Sequence, residues 1–177
     1  NTIDEKINEL RSLGKKPYFI QGGGHGNLGT QAYVNAYEEI KCFEKENGVY
    51  FEYIFHTSGT GTTQAGLVCD QIINGDSRQI IGLSNARMNP YGGQVVLDSV
   101  NSYLKTVNMK SISVETINFI DEYVLGGYGN YNKEVIQTIK EVLIQEGIPL
   151  DTTYTGKAFW GMREYIRKNN IADKNIL

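Results

Sequence analysis

The sequence predicts an α/β fold: a three-layer, mostly parallel, doubly wound sheet. Two observations predict it. Short apolar runs alternate with amphipathic helical periods along the chain, the pattern of a parallel sheet covered on both faces. Glycine-rich segments stand where strands pass into helices, at 22–24 and again at 59–61, and glycine clusters at such junctions mark tight turns or close approach of backbone to a ligand. The 177 residues suit one compact domain.

The elements follow in order. Thr2 and Glu5 form a capping box ahead of a helix carrying Ile3, Ile7, Leu10 and Leu13 and ended by Gly14. Residues 17–21 (PYFIQ) read as a short buried strand. A helix follows the triple glycine over about 28–46, with Leu28, Ala32, Ala36, Ile40 and Phe43 on one face. Asn47-Gly48 is a turn, and 49–57 (VYFEYIFHT) is a strand rich in aromatic and β-branched residues. A loop over 58–62 leads to a helix over 63–74, then to a strand over 79–83. Beyond Pro90 a helix carries Val95, Val96, Val100, Tyr103, Leu104 and Val107. Residues 117–124 are expected to be extended. The next helix spans 132–146, with Val135, Ile136, Ile139, Val142 and Leu143 on its buried side, and a last helix carries Phe159, Met162 and Ile166. The chain begins Asn1-Thr2 without Met and ends Asn175-Ile176-Leu177, which reads as the opening of an apolar strand. A fragment is the expectation.

Composition excludes several classes. A net charge of −3 with no run of Lys and Arg argues against a nucleic-acid or anionic-membrane partner. No apolar stretch nears the roughly 20 residues that span a bilayer, and no signal peptide is visible. Cys42 and Cys69 are too few for a disulfide scaffold and read as reduced thiols near the core of a cytoplasmic protein. With only His25 and His56 to assist them, no metal site is expected.

Chemistry concentrates in the loops after the strands, where ligands of such sheets bind. The strongest segment is Ser58-Gly59-Thr60-Gly61-Thr62-Thr63. A helix start offers unpaired N–H groups and a positive dipole end, glycine lets the backbone curl around an anion, and the hydroxyls add donors. The combination suits a phosphate monoester. It lacks the Gly-Lys-Ser/Thr of a Walker A loop and is not G-x-G-x-x-G. A Ser/Thr-rich helix cap on a tight turn would give a similar pattern. The segment Gly22-Gly23-Gly24-His25-Gly26 is either a second ligand-facing loop or a turn that needs positive φ. His25 is a candidate general base; His56 reads as a hydrogen-bonded core histidine. Gly126-Gly127-Tyr128-Gly129 and Thr153-Tyr154-Thr155-Gly156-Lys157 are weak signals singly, since a tyrosine beside glycine is commonly a packing aromatic.

Together these segments resemble one family. The order strand-GGG-helix, SGTGTTQAG, GYG and DTTYTGKAFWGM resembles the D-cysteine desulfhydrase and 1-aminocyclopropane-1-carboxylate (ACC) deaminase family of fold-type II pyridoxal-phosphate enzymes, whose fold is tryptophan synthase β-like. The resemblance runs from about Tyr18 to Ile176, and Tyr128 and Tyr154 stand 26 residues apart, as the family's two active-site tyrosines do. It implies that residues 1–177 are an incomplete cofactor-binding large domain and that pyridoxal 5'-phosphate is the cofactor, its phosphate gripped by Ser58, Gly59, Thr60, Gly61, Thr62 and Thr63. Tyr128 and Tyr154 are the implied catalytic residues beside a small amino-acid substrate. Gly23, Gly24 and His25 are candidate substrate contacts, although the family reads G-G-S-N there. A homodimer is the family's expected assembly.

Thr155 falls where the resemblance places the contact to the pyridine nitrogen. A Glu at that position, as in ACC deaminases, protonates the ring and makes it a strong electron sink. A Thr shares only a hydrogen bond and suits β-elimination of a good leaving group such as thiolate. The expectation is therefore D-cysteine desulfhydrase-like chemistry giving pyruvate, ammonia and sulfide. ACC ring opening, another fold-type II reaction, and a non-catalytic phosphate-binding α/β module are the alternatives. The resemblance places the Schiff-base lysine outside this chain and makes Lys157 structural, so the chain alone is expected to be inactive.

Overall fold

A computed structural model of the chain describes residues 2–177. Helix α1 (Thr2–Ser12) buries none of its residues. Thr2 is the first residue of that helix rather than its cap, and the cap position falls on Asn1, outside the described residues. Residues 17–21 form no strand: Tyr18 and Ile20 are 76% and 71% exposed, and no described strand pairs with them. Apolar and β-branched composition makes a strand only where a ladder partner exists.

Helix α2 (Asn27–Asn47) ends at Gly48, whose left-handed backbone lets its N–H reach the Glu44 carbonyl. Its buried face differs from the expected one. Thr30, Val34, Tyr37 and Glu44 point inward, while Leu28 and Phe43 are exposed. Strand β1 (Tyr53–Ser58) begins four residues later than expected. Helix α3 (Thr62–Asn74), strand β2 (Gln79–Ser84) and helix α4 (Tyr91–Thr106) follow as the periodicity predicts. The extended stretch expected over 117–124 is a strand only in β3 (Asn118–Ile120). Helices α5 (Lys133–Glu146) and α6 (Thr155–Lys168) complete the set; Leu143, expected on the buried side of α5, is exposed. Of the two thiols, Cys69 is buried and Cys42 lies on the surface.

The sheet order is β1-β2-β3, all parallel, with Tyr53 opposite Gln79 and Ile81 opposite Asn118. On the other side of β1, Ile176 pairs in parallel with Tyr53, and Leu177 exchanges backbone hydrogen bonds with Tyr53 and Phe55. The chain therefore moves outward from β1 to β3 and returns to the opposite flank of β1. That reversal is a topological switch point. Alternate residues of the strands face opposite ways. Ile54, Ile80 and Phe119 pack with α2, α3 and α4 on one face; Phe55, Ile81 and Leu83 pack with Ala158, Met162 and Tyr165 of α6 on the other. Helices thus cover both faces, as expected of a doubly wound layer.

A charge cluster closes the amino end of the sheet. Arg78, whose side chain is 1% exposed, donates two bonds to Glu44 at 3.0 and 2.9 Å and one to Asp76 at 2.8 Å. Its guanidinium lies against the Tyr37 and Tyr50 rings, 4.8 and 4.7 Å from their centroids. Both tyrosine hydroxyls donate to Asp76.

Candidate active site

At the carboxyl end of the sheet a cleft of about 450 Å³ is lined by Gly23, Thr57, Gly59, Thr60, Thr63, Asn85, Ala86, Arg87, Tyr128 and Tyr154. Five separate loops meet there. Residues 58–61 follow β1 and run into α3, whose cap residue Gly61 has φ 95° and no capping side chain. The first N–H groups of a helix have no partner within it, so this end of α3 is open to an anion.

The expected phosphate loop divides in two. Thr60 and Thr63 face the cleft together with the Gly59 backbone. Ser58 is buried and donates its hydroxyl to Gln64 Oε1 at 3.0 Å. Thr62 is buried and lies 3.4 Å from His25 Nδ1. Gln64 in turn donates to the Asn118 carbonyl at 2.9 Å, so one buried amide links the loop to β3. A Cβ at Gly82 would stand 2.1 Å from Gln64 Oε1, which is why β2 carries no side chain there.

Of the triple glycine, Gly23 reaches the cleft. It has φ 69°, and a Cβ on it would lie 2.5 Å from Thr60 Oγ1. Gly23→Val is therefore expected to displace Thr60 and to weaken inorganic phosphate binding about tenfold, the loss of one charge-assisted hydrogen bond; isothermal titration calorimetry checks it. Gly24 turns its carbonyl toward Gly29. His25 lines a neighbouring groove with Gln21, Arg87 and Tyr91, not the cleft itself.

Tyr128 and Tyr154 meet as expected. Their hydroxyls share a short hydrogen bond, and their rings cross edge to face with centroids 5.7 Å apart. The Tyr128 hydroxyl bond, with burial second, raises the Tyr154 pKa above the ordinary phenol value. Tyr154 is further held by Thr57, whose hydroxyl donates to its carbonyl at 3.3 Å.

Thr155 is set apart from the cleft. It lines an adjacent apolar pocket with Leu83, Ala158 and Met162. Its hydroxyl donates to Asp151 Oδ2 at 2.7 Å and accepts from the Asp151 N–H at 2.9 Å. Burial pushes the Asp151 carboxyl up, but bonds from Thr155, Tyr154 and Thr153 outweigh it and hold the group at about 2. Asp151 thus caps the open end of α6 as a carboxylate.

His56 pairs with Gly82 in the sheet. Its Nδ1 lies 3.1 Å from the Thr57 carbonyl, and Nε2 is sealed from solvent without a partner. Burial lowers its pKa from 6.5 to about 4, against the opposing pull of the Thr57 carbonyl. The folded value lies below the unfolded one, so the neutral ring's contribution is complete above pH 6.5 and is lost as pH falls toward 4. Urea unfolding is expected to show stability falling through that window, and a shallower fall in His56→Gln.

Two cleft residues were not singled out from sequence. Arg87 donates to the Thr60 carbonyl at 2.9 Å and lies over the Tyr91 ring. Asn85 is buried, with Oδ1 unpartnered, and that oxygen stands 3.3 Å from where a Gly59 Cβ would be. Both follow β2, and the rule that ligands bind beyond strand carboxyl ends points to them. Among the described residues no group of three His, Cys, Asp or Glu is placed to hold a metal, and no helix is long and apolar enough to cross a membrane.

The chain is similar to several known proteins. A crystal structure titled as an ACC deaminase homologue superposes with a TM-score of 0.88 at 32% identity, covering 99% of this chain and 52% of that one. A Pyrococcus horikoshii protein provisionally named a 1-aminocyclopropane-1-carboxylate deaminase is 35% identical over 173 residues, 97% of this chain and 51% of the relative. The 1-aminocyclopropane-1-carboxylate deaminase of Rhizobium rhizogenes is 30% identical over 170 residues, 93% of this chain and 50% of its own length. The chain spans about half the length of the curated relatives it matches. The family of pyridoxal-phosphate dependent enzymes matches residues 1–177, and with the same fold and an anion-ready helix end facing a tyrosine pair, this chain belongs to that family.

Proposed function

We propose that this chain supplies the phosphate grip and the tyrosine pair of a pyridoxal-phosphate dependent lyase acting on a small amino acid, with D-cysteine-type β-elimination as its chemistry. The observation that carries the reading is the facing of the Tyr128–Tyr154 pair and the uncapped end of α3 across one cleft. The residues present fit the cofactor. The helix end and the Thr60 and Thr63 hydroxyls suit a phosphate dianion, the Arg87 guanidinium adds positive charge, and the unpartnered Asn85 Oδ1 offers an acceptor to a ligand donor. Pyridoxal phosphate, when bound, supplies the electron sink for charge developing at the substrate Cα.

The protein's own contribution is positional and protic. The loop over 58–63 orients the phosphate end. Tyr154 holds a proton at the hydroxyl it shares with Tyr128, ready for a departing thiolate. The resemblance puts Thr155 rather than a Glu at the ring-nitrogen position, and a neutral hydroxyl there favours a leaving group that needs a modest sink; in the structure that hydroxyl is turned to Asp151, outside the cleft. ACC ring opening is the second reading, favoured by the names of the relatives. The test is pyruvate release by the whole protein to which this chain belongs, from D-cysteine, L-cysteine and ACC with pyridoxal phosphate supplied, sulfide being followed separately. Pyruvate with sulfide from D-cysteine supports the first reading. Pyruvate from ACC alone replaces it with the second. No turnover despite bound cofactor refutes both.

A further inference from the structure

Lys157 is 1% exposed. Its ammonium donates three hydrogen bonds, all to backbone carbonyls: Gly127 at 2.9 Å, Val124 at 3.0 Å and Asn85 at 3.3 Å. No carboxylate pairs with it among the described residues. Burying an ammonium without a counter-ion is strongly unfavourable. Its place in the first turn of α6 sets it at the positive end of the helix dipole, which is unfavourable as well. Carbonyl dipoles alone offset both effects.

The three carbonyls belong to segments that build the cleft. Asn85 lines it directly, and its N–H donates to the Ser58 carbonyl at 3.3 Å. Val124 and Gly127 bound the turn that delivers Tyr128. Leu125, Gly126 and Gly127 all have positive φ, at 58°, 83° and 133°. A leucine there is strained, and the turn it allows brings two carbonyls to one centre. Lys157 itself sits three residues after Tyr154.

We propose that Lys157 acts as a tethered monovalent cation. Its ammonium fills a carbonyl cage that fixes Asn85 and the Tyr128 turn relative to Tyr154, and the emptied cage is an alkali-cation site. Lys157 is then a positioning residue for the cleft. Potassium and ammonium ions suit such a cage, because carbonyl oxygens replace their hydration shell. The cage stands whatever the cleft binds; only its effect on the cofactor rests on the pyridoxal-phosphate reading.

Lys157→Ala empties the cage, and the full chain is melted in about 0.15 M potassium, ammonium, sodium or choline chloride, which equalises screening. The unsubstituted chain is expected to melt alike in all four. Lys157→Ala is expected to melt lower in choline and to regain at least half of the loss in potassium or ammonium. Lys157→Met, which fills the space without charge, is expected to stay low in every salt. Equal melting of Lys157→Ala in all four salts overturns the proposal, as does a Lys157→Met chain as stable as the original. If Lys157→Ala does not fold in choline, folded protein in potassium supports the proposal and failure in every salt overturns it. Pyridoxal-phosphate affinity, read from cofactor absorbance, is expected to fall and recover with the same cations. Unchanged affinity in Lys157→Ala overturns the positioning role. An unsubstituted chain that binds no pyridoxal phosphate refutes the functional reading and leaves the melting result intact.

Discussion

In the whole protein to which this chain belongs, Tyr154→Phe is expected to lower kcat for pyruvate formation about 10²–10⁴-fold, the usual worth of a positioned proton donor, with cofactor affinity near its original value. The hydroxyl it removes is half of the Tyr128–Tyr154 hydrogen bond, whereas the proposed phosphate grip is made by other cleft residues, Thr60, Thr63 and the end of α3. The ring remains and keeps its edge-to-face contact. Because the two hydroxyls work as a unit, Tyr128→Phe is expected to be about as damaging, and the double variant little worse than either single one. Steady-state kinetics beside cofactor titration checks this. A parallel loss of cofactor affinity and kcat would assign the pair to binding instead.

Arg78→Met is expected to destabilise the fold by about 3–5 kcal/mol, the cost of leaving buried carboxylates without their cation. Arg78 is shared by Glu44 and Asp76 and sandwiched by Tyr37 and Tyr50, so one substitution unpairs the end of α2 from the start of β2. Glu44 also accepts the Phe51 N–H at 2.7 Å. Glu44→Gln keeps that acceptor while removing a charge, and the double variant is expected to recover part of the loss. Urea unfolding of the single and double variants measures both. The cluster lies at the opposite end of the sheet from the cleft, so ligand affinity of the folded variant should hold.

That cluster also explains one misreading of the sequence. Periodicity alone assigns Leu28, Ala32 and Phe43 to the buried face of α2, but Tyr37 and Glu44 turn inward to meet Arg78. A polar network decided the orientation, and its partners are distant in sequence. Residues 17–21 look like a strand because Tyr, Phe and Ile favour one, yet a ladder needs a neighbour and no described strand provides it. The order of helices and strands was legible because each has its own period. The cleft was largely legible too, since Thr60, Thr63, Gly23, Tyr128 and Tyr154 carry recognisable loop and motif signals. Asn85, Arg87 and the cage around Lys157 were not. Their roles rest on backbone carbonyls and long-range packing, which leave no pattern in side-chain identity. Thr155 was legible as a motif residue, but its engagement with Asp151 is a matter of local capping geometry.

The return of the chain to the far flank of β1 has a kinetic consequence. Strands β1, β2 and β3 and the helices between them are neighbours in sequence, so their contacts close short loops. The bonds from Glu52 and Tyr53 to residues 175–177, and from Lys157 to Asn85, span far longer ones. Loop-closure entropy orders such events. The uncapped end of α3 is expected to form with the early unit, and the wall bearing the tyrosines to dock onto it last.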